Sequence, residues 1–178
     1  THYLNHALGL VSLEAAEAGL VWFRRLWGNG LGLLLLYTSL LVHLGHALWS
    51  LWRRRSLRMA RWEAAQLVFG LAIPPLLAIH VFGTRLAELR FGLVPSYGYV
   101  LLALWAGDPW PTLRQSAVLA LAWSHGCIGL HFWLRLAEGY RAWQPVLLAL
   151  AVAVPLLGLS GFVASGRDVR LMRGLADT

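Results

Sequence analysis

The chain has 178 residues, of which 58% are hydrophobic and only 13% are charged, about half the charged fraction of an ordinary soluble domain. The net charge of +7 comes from arginine alone, and these arginines cluster at the ends of apolar segments rather than along one face, which excludes a nucleic-acid-binding surface. The single cysteine, Cys127, excludes an internal disulfide framework.

Four apolar segments are each long enough to cross a hydrocarbon core, which needs about 20 helical residues. They cover residues 30–52, 63–86, 113–136 and 145–165. The chain starts at Thr1 and His2, and a histidine at this place lies inside a membrane only if helix precedes it. Residues 1–10 are therefore predicted to end a first span that begins upstream of Thr1. The predicted fold is all-α, a polytopic transmembrane bundle of about five spans that forms one membrane domain over residues 1–178.

The segments between the spans have patterns of their own. Residues 12–27 place acidic and basic side chains among apolar ones at the spacing of an amphipathic helix on the membrane surface, and Gly28–Gly30 breaks this helix. Pro74–Pro75 predicts an interruption and a kink in the third span. The connection 87–112 is too short to cross the bilayer and predicts a short capping helix. From Gly166 onward the chain is polar and basic, which predicts a loop.

The loop after the second span carries five arginines, which are Arg53, Arg54, Arg55, Arg58 and Arg61. Short loops that are rich in arginine remain on the cytoplasmic side, so this loop is predicted to lie inside. Alternation of the spans then places residues 135–144 inside and residues 87–112 outside.

Seven histidines lie in this apolar chain, and four of them fall at matched depths. An ionisable side chain inside a membrane is costly and is therefore a candidate functional residue. His43 precedes Arg53 by ten residues, and His125 precedes Arg135 by ten residues, so each lies about 15 Å from the same membrane surface. We call His43 and His125 the inner pair.

A second pair lies nearer the outer surface. His80 comes 17 residues after Glu63, about 25 Å from the inner surface, and His2 lies near the outer end of the first helix. We call His2 and His80 the outer pair. The two pairs are predicted to differ in depth by roughly 10 Å.

Facing imidazoles on different helices are the arrangement with which a helical bundle holds a haem iron from both sides. The two pairs therefore predict two haem b groups between the helices, held without covalent attachment because no Cys-x-x-Cys-His motif is present. Each histidine has an alternative interpretation as a core residue that hydrogen-bonds a neighbouring carbonyl. Other metal ions are disfavoured, because no carboxylate or cysteine joins the histidines.

Further polar and small residues are candidates for contacts to these cofactors. His6 and His46 have three alternative roles: they are other ligands, contacts to haem propionates or quinone, or packing residues. His131 is predicted to lie at the membrane interface. The arginines that suit either haem carboxylates or interfacial anchoring are Arg53, Arg85 and Arg135. The polar candidates for a quinone pocket are Gln66, Glu14, Glu17, Tyr37 and Arg85. The glycines that would admit a macrocycle, or equally serve helix packing, are Gly45, Gly83, Gly126 and Gly129.

The chain resembles the cytochrome b membrane anchor of di-haem succinate:quinone oxidoreductases and fumarate reductases. The motifs that carry the resemblance are H-x-x-N-H at His2–His6, H-x-x-x-[GA]-L-[aromatic] from His43, H-V-x-x-T-R at His80–Arg85 with the following Phe91–Gly92, and H-x-x-x-G-L from His125. In that family the first ligand-bearing helix pairs with the third and the second pairs with the fourth, which implies the same two pairs. His131 departs from the pattern, since related anchors often have an aromatic residue there, and this leaves the choice of inner ligand open.

A closer resemblance is to the N-terminal membrane region of certain bacterial class III adenylate cyclases. It is carried by RRRSLRMARWEAAQL from Arg53, HGCIGLHFWLRL from His125 and GFVASGRDV from Gly161. The resemblance implies a multi-pass location in the bacterial inner membrane, a homodimer, and a further span, a ferredoxin-like domain and a cyclase domain downstream. It also implies that the cyclisation site lies outside this chain.

The function that follows is a di-haem b domain that exchanges electrons with quinone or quinol and regulates an attached adenylate cyclase. The alternative is a cytochrome b electron-transfer subunit of a succinate dehydrogenase or fumarate reductase complex. The parent reading frame distinguishes the two, because a cyclase fused downstream favours the sensor. A third interpretation is a haem-free membrane module whose histidines are structural.

Overall fold

The computed structural model describes residues 1–176, which form helices and no strand. The helices are α1 (His2–Leu8), α2 (Leu13–Trp27), α3 (Gly30–Trp52), α4 (Arg61–Val81), α5 (Ala87–Phe91), α6 (Tyr97–Trp105), α7 (Trp110–Leu134) and α8 (Tyr140–Ala176). A π-helical turn, Phe82–Leu86, joins α4 to α5 without a break. The predicted all-α class is therefore confirmed.

Four helical segments are long and apolar enough to cross a membrane, and they are Gly30–Trp52, Arg61–Phe91, Trp110–Leu134 and Tyr140–Leu175. Most of their large apolar side chains are exposed, as expected for surfaces that face lipid rather than water. The described residues thus hold four spans instead of the predicted five, because α1 has only seven residues and is far shorter than a bilayer requires.

The predicted surface helix and the predicted capping helix are both present, and their starts are capped by side chains. The Ser12 hydroxyl accepts a hydrogen bond from the Ala15 N–H at 3.1 Å and so caps the predicted surface helix α2. The Asn29 carboxamide accepts one from the Gly32 N–H at 2.9 Å, so the break between α2 and α3 is also the cap of α3. The predicted capping helix is α6, whose first N–H, that of Tyr97, donates to the Glu17 carboxylate at 2.6 Å.

The predicted interruption of the third span at Pro74–Pro75 is wrong, because both prolines lie inside α4 and the helix continues through them. Membrane helices tolerate proline, since neighbouring groups can satisfy the carbonyl groups that the missing N–H donors leave free. The regular α-helix ends after Val81, where the chain forms the π-helical turn Phe82–Leu86. In this turn the Thr84 hydroxyl donates to the His80 carbonyl at 2.7 Å. Such turns often occur at functional sites.

The chain after Gly166 is helix rather than loop, since α8 continues to Ala176. Phe162, Ser165 and Val169 are buried at helical spacing, while the charged residues between them, Arg167 and Asp168, are exposed. The buried face packs against α1 and α6, so tertiary contacts sustain a helix that composition alone does not predict.

Glycine allows α1 and α8 to pack closely. A Cβ atom on Gly161 would overlap the carbonyl oxygen of His6, and one on Gly9 would overlap the Ser165 hydroxyl. A backbone carbonyl within a helix has little freedom to move aside. This contact fixes the position of α1, which carries His2 and His6.

We expect Gly161→Ala to lower the free energy of unfolding by about 1–3 kcal/mol, because the added methyl group overpacks this contact. Thermal unfolding in detergent, followed by circular dichroism, measures the change. Gly174→Ala is the matched control on the same helix, since no atom lies within 4 Å of its Cβ position. Equal melting temperatures for the two variants would contradict the proposed contact.

Candidate metal centres

The inner pair joins two helices through its side chains. His43 on α3 and His125 on α7 have ring centroids 5.8 Å apart, with ring planes at 80° to each other. Within the described residues, α3 packs mainly against α2 and makes no extended backbone contact with α7. Two metal–nitrogen bonds of about 2 Å each, together with the two ring radii, give a centroid separation of about 6 Å. The separation of the inner pair fits an ion held between the rings.

Residues of α4 hold His125 in place. Its Nδ1 lies 3.1 Å from the backbone carbonyl oxygen of Gln66. Because a carbonyl only accepts hydrogen bonds, this contact makes Nδ1 the protonated nitrogen and leaves the lone pair on Nε2. Metal-ligating histidines are commonly oriented in this way by an acceptor at the other ring nitrogen.

Gly70 provides the room for this imidazole. A Cβ atom at Gly70 would lie 2.7 Å from His125 Cε1 and 3.2 Å from Nδ1. Any larger residue would therefore displace the ring. One helix, α4, contacts the inner pair at Gly70 and carries His80 of the outer pair.

The outer pair borders a large cavity. The ring centroids of His2 and His80 are 6.1 Å apart, with ring planes at 66°. Both histidines line a cavity of about 880 Å³, which lies within the usual range of about 300–1,000 Å³ for cofactor and ligand sites. Arg24, Arg25 and Arg85 line the same cavity.

Both pairs have a partner on α4. Gly70, which contacts His125 of the inner pair, and His80 of the outer pair lie ten residues apart on this helix, about 15 Å along its axis. The predicted difference in depth of roughly 10 Å between the pairs stays a prediction.

The protein ligands present at each pair match the number that a haem iron requires. No group of three or more His, Cys, Asp or Glu side chains is arranged around a metal site in the part of the chain that the structure describes. Each pair supplies two imidazoles, and haem iron takes its remaining ligands from the porphyrin. The Cβ positions of Gly45, Gly83 and Gly126 have no atom within 4 Å, and all three glycines are exposed, so they face outward from the bundle.

His6 is buried next to the outer pair. Its ring centroid is 4.7 Å from that of His2, and its Nδ1 lies 2.8 Å from the Tyr97 hydroxyl. The buried Ser165 hydroxyl of α8 donates to the Gly9 carbonyl at 3.4 Å. Burial raises the pKa of Tyr97 to about 12, so the phenol remains protonated.

The two ring nitrogens of the buried His6 differ in their partners. Nδ1 is engaged with the Tyr97 hydroxyl, whereas Nε2 is buried and has no hydrogen-bond partner among the described residues. Nε2 is therefore the ring nitrogen of His6 that is available to a ligand or cofactor beside the outer pair.

The remaining predicted residues lie in different surroundings. Arg85 lines the cavity and donates to Glu88 at 2.8 Å. Arg53 and Arg135 lie at the ends of α3 and α7 and stack on aromatic rings of their own helices, at 5.9 Å from Trp49 and 5.1 Å from Phe132. His46 is exposed on α3, as His43 is, but it has no ring contact with another histidine among the described residues. The exposed His131 has Nδ1 at 2.7 Å from the Tyr140 hydroxyl.

The residues predicted to form a quinone pocket lie in different parts of the structure. Glu17 caps α6, and Gln66 contacts His125 through its backbone, while Glu14 and Tyr37 are exposed. The structure does not bring these four side chains together into one pocket, although Glu17 lines the cavity with Arg85.

Sequence reasoning missed four residues around the pairs, namely Arg24, Gly70, Glu88 and Tyr97. Arg24 was assigned only to the surface helix α2, and Glu88 and Tyr97 only to the outer connection. The one available signal was a glycine in the middle of a span, at Gly70, because glycine is unfavourable in a helix unless close packing requires it.

Comparison with known proteins gives no relative: no family model, no curated protein and no solved structure matches the chain.

Proposed function

We propose that this chain is a di-haem b membrane domain that exchanges electrons with quinone or quinol. His43 and His125 would hold one haem and His2 and His80 the other. A bound haem b would supply one-electron oxidation and reduction inside the bilayer. The proposal includes α1 as the end of a fifth span that completes the bundle.

The observation that carries the proposal is the geometry of the two pairs. Two separate pairs of imidazoles have centroid separations of 5.8 and 6.1 Å, each formed by side chains from different helices. A single histidine in a membrane helix is readily explained by packing. Two pairs at the spacing of axial ligands are hard to explain by packing, since an unpaired imidazole in an apolar bundle is costly.

The protein residues around the pairs would have three tasks. Gln66 and Gly70 orient His125, so the inner ligand is held before a cofactor binds. The apolar spans α3 and α7 would place the inner pair within the hydrocarbon core. The arginines at the outer cavity add positive charge near His2 and His80, which stabilises a more negative, reduced centre.

We further propose that the domain is the redox-sensing anchor of an adenylate cyclase. The support for this part is the resemblance carried by the sequence segments from Arg53, His125 and Gly161. A parent reading frame without a cyclase would refute this part of the proposal and favour the respiratory subunit.

Haem stoichiometry tests the proposal directly. The purified chain is expected to carry about two haem b per polypeptide in a pyridine haemochrome assay, with a b-type band in the reduced-minus-oxidised spectrum. Reduction of this band by a soluble quinol analogue tests the electron partner. Purified, folded protein that neither contains nor takes up haem would refute the function and leave the haem-free membrane module.

A further inference from the structure

An ion-pair cluster joins the surface helix α2 to the end of the α4 segment. Arg24 and Arg85 are 61 residues apart in sequence, yet both bind Glu88. Arg24 Nη2 donates to Glu88 Oε1, and Arg85 Nη1 donates to Glu88 Oε2 at 2.8 Å. Arg24 Nη1 also donates to the Pro95 carbonyl at 3.2 Å. The two guanidinium groups are therefore held beside each other.

This cluster forms part of the wall of the cavity that contains the outer pair. The side chains of Arg24, Arg85 and Glu88 are only 33%, 31% and 25% exposed, so their charges are partly shielded from water. Arg25 adds a third positive charge to the wall. Of the two carboxylates that line it, Glu17 is already bound to the N–H groups of Tyr97 and Gly98. The wall therefore favours an anionic group.

The chemistry of the cluster indicates a carboxylate ligand. A guanidinium has five N–H donors in a planar fork, and the hydrogen bonds to Glu88 and Pro95 use only part of those on Arg24. This geometry matches carboxylates and phosphates, which accept two parallel hydrogen bonds from one guanidinium. The porphyrin that His2 and His80 would hold carries carboxylates at one edge.

We propose that Arg24 and Arg85 bind the carboxylates of the outer porphyrin and that Glu88 positions both arginines. This inference rests on the proposed function. It makes α2 part of the outer site, since one of the two arginines comes from this surface helix. Glu88 holds the guanidinium groups together, while its own charge repels an incoming carboxylate.

Binding of two porphyrins to one site tests the proposal. In the double variant His43→Ala, His125→Ala only the outer site remains, and the haem-depleted protein is titrated with iron protoporphyrin IX and with its dimethyl ester. The free acid is expected to bind roughly tenfold more tightly than the ester. Arg24→Gln and Arg85→Gln should each remove most of this preference. Equal binding of acid and ester before any arginine is changed would overturn the inference.

Two further variants separate carboxylate binding from a structural role. Arg90→Gln is the matched control, since Arg90 is exposed on α5 and does not line the cavity, and it should keep the preference. Glu88→Gln breaks the same ion pairs as Arg24→Gln, but it should keep or increase the preference for the acid. If Glu88→Gln and Arg24→Gln lose the preference equally, the cluster is only structural and the inference is wrong.

A redox titration of the chain with all four histidines gives an independent measurement that does not need the double variant. Arg24→Gln should lower the midpoint potential of one haem, because loss of a nearby cation favours the oxidised form, and Glu88→Gln should raise it. Unchanged potentials in both variants would overturn the inference while leaving the proposed function intact. A parent protein that binds neither porphyrin would instead refute the proposed function itself.

Discussion

Replacing either histidine of the inner pair with alanine is expected to reduce the haem content from about two to about one per polypeptide. Under the proposed function each imidazole would supply one of the two protein ligands of the inner haem, so loss of either side chain should release this haem. The two ring centroids lie 5.8 Å apart. The double variant His43→Ala, His125→Ala should lose no more haem than either single variant, because the two residues act as one unit. Pyridine haemochrome stoichiometry and a redox titration of the b-type band measure the loss.

Histidines outside the pairs provide the controls. His46→Ala changes the same helix three residues later, and His131→Ala removes an exposed ring that contacts Tyr140 instead of another histidine. Both variants should keep both haems. A normal haem content in His43→Ala together with a loss in His46→Ala would show that the inner ligand had been assigned to the wrong residue.

Gly70→Leu is expected to remove the inner haem although Gly70 carries no ligand atom. Its Cβ would lie 2.7 Å from His125 Cε1, so a leucine must push the imidazole away from Gln66 and His43. The haem content should fall to about one per polypeptide, with the outer haem still present. The redox titration should then show a single component.

Val68→Leu is the matched control for Gly70→Leu, since it adds bulk to the same helix at a side chain that is 61% exposed. This variant should keep both haems. If Gly70→Leu also kept both, the Gly70 contact would have no part in holding His125.

Residue counting along helices predicted which histidines share a depth, because the helical rise converts sequence separation directly into distance. The rings of each predicted pair do lie together, at 5.8 and 6.1 Å, although their ligation of haem stays a prediction. Apolar segment length likewise predicted the four spans. Both successes depend on information that is local along the chain.

The features that sequence reasoning missed depend on contacts between distant segments. Arg24 meets Glu88 across 64 residues, and no local pattern in α2 indicates such a partner. The end of α8 is similar: its charged residues suggested a loop, but Val169 and Ser165 are buried against helices formed much earlier in the chain. Composition describes the solvent preference of a segment, whereas packing decides whether it remains helical.

The shared position of α4 has a consequence for how the two pairs respond to helix movement. His80 belongs to this helix, and His125 contacts it at Gln66 and Gly70. A displacement of α4 would therefore disturb both pairs at once. A displacement of α3, which carries His43, would disturb only the inner pair, and one of α1, which carries His2, only the outer pair.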